Sequence, residues 1–379
     1  MRVALVNCWH AAAEPGAQIE ADTLRRELAH GLAALGHEVH VVQELPTAAT
    51  VDDGPVRWHF VPPEWYTRAA RAALGAVGRD DAVVKAPAPH LARVAAALRA
   101  DIVHSFDLVN YGLLAELGRD TRRRGAALVA HFHGGAPARL DALRRVERAA
   151  FANVTRFLFT TQHHAAPWEQ SGALADTRRV VEVYETSTLF RPGDRAEARA
   201  RTALLGAPAL LHLGRLDAVK DPLTTLAALR AVLPQLPGAH LTFAWTEGPL
   251  EAEVRRAAAG LPVTFLGRAS RERTELLLRA ADLFVQASTR EVCGVAALEA
   301  FGTGTPSVLS DIPSFRKMTA NGTVGKLFPV GDSAAMAAAI GASNYTDARD
   351  RVRARFDAAL SFDALSRAVS GVYAELGQR

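Results

Sequence analysis

Two carboxylates, Glu291 and Glu299, bracket a strand-to-helix turn: an apolar stretch, DLFVQAS at 282–288, runs into EVCGVAALE at 291–299 and then AFGTGTP at 300–306. Were the segment helical throughout, eight steps of ~1.5 Å would hold the carboxylates about 12 Å apart. That span suits a sugar nucleotide and not one metal ion. Gly294 places Glu291 in the loop and Glu299 early in the helix, with backbone N–H groups between them facing an anion. Each carboxylate can accept two hydroxyl hydrogen bonds, which matches the vicinal diols of a ribose or hexose. Glutamate pairs on helices are also common as solvated groups, so the spacing alone leaves both readings open.

Upstream, ALLHLGRLDAVKDP at 209–222 reads as a buried strand, a turn at Gly214 and a helix begun by Asp221 at the N-cap with Pro222 behind it. Arg215 and Lys220 fall between strand end and helix start. Ligands of open α/β sheets bind outside the carboxyl ends of strands, so these cations are placed for a diphosphate; the competing reading is two solvated surface cations. No Asp-x-Asp pair occurs in the chain. The charge of a leaving diphosphate would then fall to Arg215, Lys220 and the amides after Glu291, with no metal required.

The elements that must hold these residues form a β/α pattern given twice. Strand 3–6, a loop with Pro15 and Gly16, a helix from Ile19 to Leu35 stopped by Gly36, and strand 38–42 make a βαβ unit. Its first turn lacks G-x-G-x-x-G, which argues against a dinucleotide oxidoreductase. Further strands read at 101–104, 127–130 and 157–160, and the stretch from Pro62 to Arg99 reads as helical and peripheral. With 379 residues, 49% hydrophobic and 22% charged, two globular domains are expected. No long uncharged apolar run marks a membrane span. Met1 enters a strand at once without a signal-peptide pattern, and Cys8 and Cys293 fall in different expected domains, so the chain reads as a cytoplasmic enzyme. A net charge of +4 and arginine clusters without interleaved aromatics give no nucleic-acid signature.

The G-R-L-x-x-x-K run of 214–220, the Glu291/Glu299 run with its AFGTGTP tail, the VTFLGR strand at 263–268 and ADLFVQAS at 281–288 resemble, in order, the donor half of the family-4 retaining glycosyltransferases. The resemblance is close over 205–345 and colinear elsewhere. It implies the GT-B fold, two Rossmann-like domains facing a central cleft: 1–192 for the acceptor, 193–361 for the donor nucleotide after a linker beyond Pro192, and a helix from 362 to 379 crossing back. It implies a donor site of Gly16, Gly214, Arg215, Lys220, Arg268, Glu291, Val292, Cys293, Gly294, Val295 and Glu299, with Glu291 on the sugar and Glu299 on the ribose. AHFHGG at 130–135 is similar to the family's "HG" loop, so His133 is expected at the reaction centre beside Glu291, Arg215 and Lys220, with His131 pointing away from it.

Trp9, His10, Glu14, Gln18, Phe106, Asp107, Asn110 and Tyr111 follow strands of the first domain and combine stacking faces with hydrogen-bonding groups, as a polyol, aminocyclitol or sugar acceptor needs. Val292-Cys293 in place of an aromatic, and Ser314-Phe315 in place of a glycine pair, depart from the family pattern. The first reading is a metal-independent, retaining hexosyltransferase without cofactor, moving sugar from a UDP- or GDP-sugar to a soluble hydrophilic acceptor such as a natural-product or thiol-precursor core. The alternatives are transfer to a membrane glycolipid or polysaccharide, and a non-catalytic sugar-nucleotide-binding regulatory subunit.

Overall fold

The computed structural model describes residues 1–9, 11–76, 88–138, 141–343 and 348–378. The chain divides into two compact units, Met1–Glu185 with Phe362–Arg379, and Thr186–Ser361. The switch falls at Glu185–Thr186 and not at Pro192. The stretch after Pro192, read as a linker, contains instead the helix Arg195–Thr202. Asp194 caps it by accepting the Glu197 N–H, and Arg199 reaches Asp282 of the same unit at 2.6 Å, which fixes the helix against the sheet.

The first unit holds strands β1 (Arg2–Asn7), β2 (Glu38–Glu44), β3 (Ala49–Asp53), β4 (Val56–Val61), β5 (Ile102–Ser105), β6 (Ala127–His131), β7 (Arg156–Phe159) and β8 (Val180–Glu182) in the order β3-β4-β2-β1-β5-β6-β7-β8. All neighbours are parallel except the β3–β4 hairpin. That hairpin turns at Asp53-Gly54, with Gly54 at φ +60°, a turn signal the strand reading passed over. The single helix expected from Ile19 to Leu35 is two, Pro15–Ala21 and Thr23–Ala34, because Asp22 between them accepts the Arg25 N–H and starts the second. Helices Trp65–Ala76 and Pro89–Ala97 occupy the stretch read as peripheral; residues 77–87 lie outside the described ones. The second is no surface helix, since His90, Leu91 and Ala95 are buried and His90 Nε2 meets buried Glu44 at 2.8 Å.

The second unit is a six-stranded parallel sheet of β9 (Ala209–Leu213), β10 (His240–Ala244), β11 (Val263–Gly267), β12 (Leu283–Gln286), β13 (Ser307–Ser310) and β14 (Lys326–Phe328), in the order β11-β10-β9-β12-β13-β14. Its central strands β9, β12 and β13 are near-continuous runs such as ALLHL and LFVQ, fully buried, as strands covered on both faces are.

The closing helix Phe362–Gly377 belongs to the first unit, where Leu365, Val369, Val372 and Tyr373 pack into the core with Leu28, Leu32 and Val39. Tyr373 Oη lies 2.6 Å from Nδ1 of buried His104, whose ring stacks on that of buried His131 at 5.4 Å. Burial pushes His104 down to about 3 and His131 well below the ordinary range. The unfolded chain therefore takes up protons at these sites below pH ~6.5 that the folded chain does not, and acid weakens folding through them. His131→Phe removes one such group. Its stability relative to the wild type should rise by about 1.4 kcal/mol for each pH unit below 6.5, and a gap between urea midpoints that stays constant from pH 7 to 5 would contradict this.

Candidate functional site

In the second unit the strand order reverses between β9 and β12, the position where an open parallel sheet leaves a crevice at its carboxyl edge. The loop leaving β9 holds Gly214, Arg215, Asp217 and Lys220; the loop leaving β12 holds Ser288 and Glu291. Gly214 sits at φ +137°, and a Cβ there would lie 3.2 Å from Lys220 Cε, so glycine lets the lysine stem run across the loop. Asp217 Oδ1 accepts the N–H groups of Val219 and Lys220, and Asp221 caps the helix Pro222–Val232. The two loops meet directly where Thr289 N–H donates to the Val219 carbonyl at 2.8 Å.

Across this point Lys220 Nζ lies 2.6 Å from Glu291 Oε1, both side chains largely buried. The same oxygen accepts Ser288 Oγ at 2.8 Å and Gln286 Nε2 at 3.3 Å. The two cations expected to face a diphosphate here are each paired with a carboxylate. Lys220 takes Glu291, and Arg215, half exposed, takes Asp217 at 2.6 Å. A desolvated ammonium needs a countercharge, and the nearest carboxylate supplies it. Beneath the crevice, burial and the charge of Lys220 hold His212 down to about 3, so that ring is neutral. Gln286 and Ser288, which anchor Glu291, lie in the very segment that carries the resemblance and were passed over as strand.

Gly294 starts the helix Val295–Gly302 at φ +74°, and a Cβ on it would lie 2.4 Å from Phe315 Cε1. Glycine is the only residue that fits, and the first N–H groups of that helix follow the Glu291 loop. Phe315, noted as a departure from the family pattern, is the side chain this glycine packs against. Val292 is half-buried, Cys293 buried and Val295 exposed. Glu299 lies in the helix's second turn, where burial pushes its carboxyl up to about 7, opposed by Arg271. Arg268 is exposed just past β11.

In the first unit the order reverses between β1 and β5. Trp9 follows β1 and Asp107 follows β5, and Trp9 Nε1 donates to Asp107 Oδ2 at 2.8 Å across that point. Trp9 is 49% exposed, and Glu14 and Gly16 are exposed. The other expected acceptor contacts are engaged within the unit. Gln18 Oε1 accepts the N–H groups of Ala11 and Ala12. Asn110 caps the helix Tyr111–Arg124 through the Leu113 N–H, and Tyr111 is core, its phenol raised by burial beside Glu147. Phe106 is buried under Arg25 and His104. Asp107 is nearly buried, and its carboxyl is raised by that burial. His10 lies outside the described residues.

His133 follows β6, and Gly134 and Gly135, at φ +144° and +97°, carry the chain away from it. The expectation that His131 points elsewhere fails, because residues two apart on an extended chain share a face. The two rings are 4.6 Å apart, and Phe106 stacks on His133 at 5.4 Å and 19°. His133 Nδ1 meets Glu185 Oε2 at 3.0 Å. Glu185 was not singled out in the sequence, since nothing local marks it as a histidine partner.

Glu299 yields a stability test. With its folded value near 7 against an ordinary 4.5, the folded state keeps a proton the unfolded chain has lost between those values, so rising pH weakens folding and the full penalty applies above 7. Glu299→Gln should stabilise the protein at pH 8 by up to on the order of 3 kcal/mol, a gain that vanishes at pH 4.5. Equal urea midpoints at pH 8 would overturn this.

Residues 207–343 match the family described as glycosyl transferases group 1, and residues 22–186 the glycosyl transferase 4-like domain. The chain is 31% identical over 351 residues to the D-inositol 3-phosphate glycosyltransferase of Acidothermus cellulolyticus, covering 83% of this chain and 75% of that one. It is 31% identical over 277 residues to the enzyme of the same name from Nocardia farcinica, covering 67% of this chain and 60% of that relative's length. Sucrose-phosphate synthase from Thermosynechococcus elongatus superposes with a TM-score of 0.67 at 22% identity over 100% of this chain and 99% of that one. The order of motifs, the two parallel sheets and these relatives agree: the chain belongs to the group 1 glycosyltransferases and has their GT-B fold.

Proposed function

We propose that the chain is a retaining, metal-independent glycosyltransferase that moves a hexose from a UDP- or GDP-sugar to a polyhydroxylated acceptor of the cyclitol or sugar class. The observation that carries this reading is the Lys220–Glu291 pair at the reversal point of the second sheet. A diphosphate brought there offers Lys220 a stronger counterion than one carboxylate. Lys220 and Arg215 then hold the leaving group, and the amides after Gly294 add partial positive charge. Glu291, kept in place by Ser288 and Gln286, turns to accept hydroxyls of the sugar. Glu299, buried and partly protonated near neutral pH, regains full charge on accepting ribose hydroxyls.

The departing phosphate takes the acceptor proton on the face it leaves, so the new bond forms where the old one broke. Glu291 is less suited to act as a nucleophile, because Lys220, Ser288 and Gln286 all bond one of its oxygens and engage that oxygen's lone pairs. On the acceptor side, Trp9 offers a stacking face with Glu14 and Asp107 near the same edge, a combination that suits a polyol. The two D-inositol 3-phosphate glycosyltransferases are named for such a cyclitol. Trp65, 73% exposed beside exposed Tyr66, favours a second reading in which the acceptor is a lipid at a membrane surface. No described helix is long and apolar enough to cross a membrane.

The experiment follows one transfer reaction by NMR, with an α-linked UDP- or GDP-sugar and a cyclitol acceptor in the presence of EDTA. An α-linked product at an undiminished rate is expected. A β-linked product would overturn retention, activity lost on chelation and restored by Mg²⁺ or Mn²⁺ would overturn the metal-free mechanism, and nucleotide binding without transfer to any acceptor would favour a regulatory subunit.

A further inference from the structure

Away from both strand-reversal points, a cavity of about 720 Å³ opens at the amino edge of the first sheet, beside the starts of β6, β7 and β8. Trp9, Asp107 and His133 follow strand ends and so belong to the opposite edge. Four arginines line the cavity, Arg122, Arg156, Arg178 and Arg179, against one carboxylate, Asp176. Arg178 engages that carboxylate with two nitrogens, Nε to Oδ1 at 2.9 Å and Nη2 to Oδ2 at 3.2 Å. Among the described residues, Arg122, Arg156 and Arg179 form no ion pair.

Structural need accounts for part of this charge. Arg179 Nη1 donates to the Phe151 and Val154 carbonyls at 2.9 and 2.8 Å, where the helix Asp141–Phe151 ends. Arg122 lies in the last turn of the helix Tyr111–Arg124, an end that favours a cation. Arg156 Nη1 donates to the adjoining Thr155 carbonyl at 3.0 Å. Carbonyls carry only partial charge and leave three guanidinium groups without a full countercharge. Burial lowers Arg179 from its ordinary value, Asp176 opposes that shift and Arg156 adds to it, so two like charges lie near each other at the cavity wall. An anion in the recess would relieve that repulsion.

Guanidinium forks match phosphate oxygens two at a time, which favours phosphate among anions. One phosphate fills little of the cavity, and Ala126, Ala152 and Val154 leave an apolar wall for an organic group. We propose that this cavity binds a soluble phosphate ester, with Arg122, Arg156 and Arg179 on the phosphate and the apolar wall against the organic part. The site goes beyond the glycosyltransferase reading and does not rest on it, since it lies at strand starts and shares no residue with the Lys220–Glu291 site.

The test is calorimetric titration of phenyl phosphate into the full chain carrying Lys220→Met, which weakens the anion site of the second unit. One site is expected, tighter than for inorganic phosphate and weakened by rising salt. Adding Arg122→Gln and Arg156→Gln should lower affinity about 10-fold or more, the scale of charge-assisted hydrogen bonds. Asp176→Asn removes the cavity's carboxylate and should instead tighten binding, by about threefold or more, a gain that damage to folding cannot produce. No binding at millimolar phenyl phosphate, equal affinity without the two arginines, or no tightening in Asp176→Asn overturns the proposal. Flotation with phosphatidylglycerol vesicles that needs Arg122 and Arg156, without binding of phenyl phosphate, overturns it in favour of a lipid headgroup.

Discussion

The ion pair between Lys220 and Glu291 is the contact on which the second unit's site depends. It joins loops leaving the two strands between which the sheet reverses, so it exists only because β9 and β12 are parallel neighbours. The pair satisfies a desolvated ammonium with a carboxylate at the carboxyl edge of the sheet. A ligand that carries both phosphates and hydroxyls can replace each half of the contact. A ligand with one kind of group would leave the other charge poorly compensated; under the proposed function this would favour a sugar nucleotide over free phosphate or free sugar.

The surrounding sequence choices follow from that contact. Gly214 lets the Lys220 stem cross its loop, and Asp217 folds that loop through two amides. Gly294 lets the next helix begin against Phe315. Ser288 and Gln286 hold Glu291 from the strand side. In the first unit the equivalent reversal is bridged by Trp9 and Asp107, and the buried column of His104, His131 and Phe106 carries packing from the closing helix to the ring of His133. In each unit, paired or stacked groups gather at the edge where that unit's own sheet reverses.

Much of the second unit's local structure was legible in the sequence because its signals are local. Asp221-Pro222 marks a helix start, Gly294 a turn, and the apolar runs of β9 and β12 mark buried strands within a few residues of the charges they position. What was not legible depends on contacts far apart in the chain. Nothing near Glu185 points to His133, 52 residues earlier, and nothing near Tyr373 points to His104. Asn110, Gln18 and Tyr111 have the polar chemistry of ligand contacts, yet the fold uses them as a helix cap, a loop clamp and core. Residue type alone could not separate these roles, because caps and binding groups draw on the same side chains. Asp22 breaking the first helix, and Asp53-Gly54 turning the hairpin, carried local signals that the hydrophobic pattern masked.

The most direct test of the central claim is calorimetric titration of UDP and GDP into the wild-type chain and into Lys220→Met. The account predicts that one of the two diphosphates binds, that rising salt weakens binding, and that losing the ammonium lowers affinity by about 10-fold or more, the scale of a charge-assisted hydrogen bond. Equal affinity in Lys220→Met, or no binding of either diphosphate to the wild type at millimolar concentration, would contradict it.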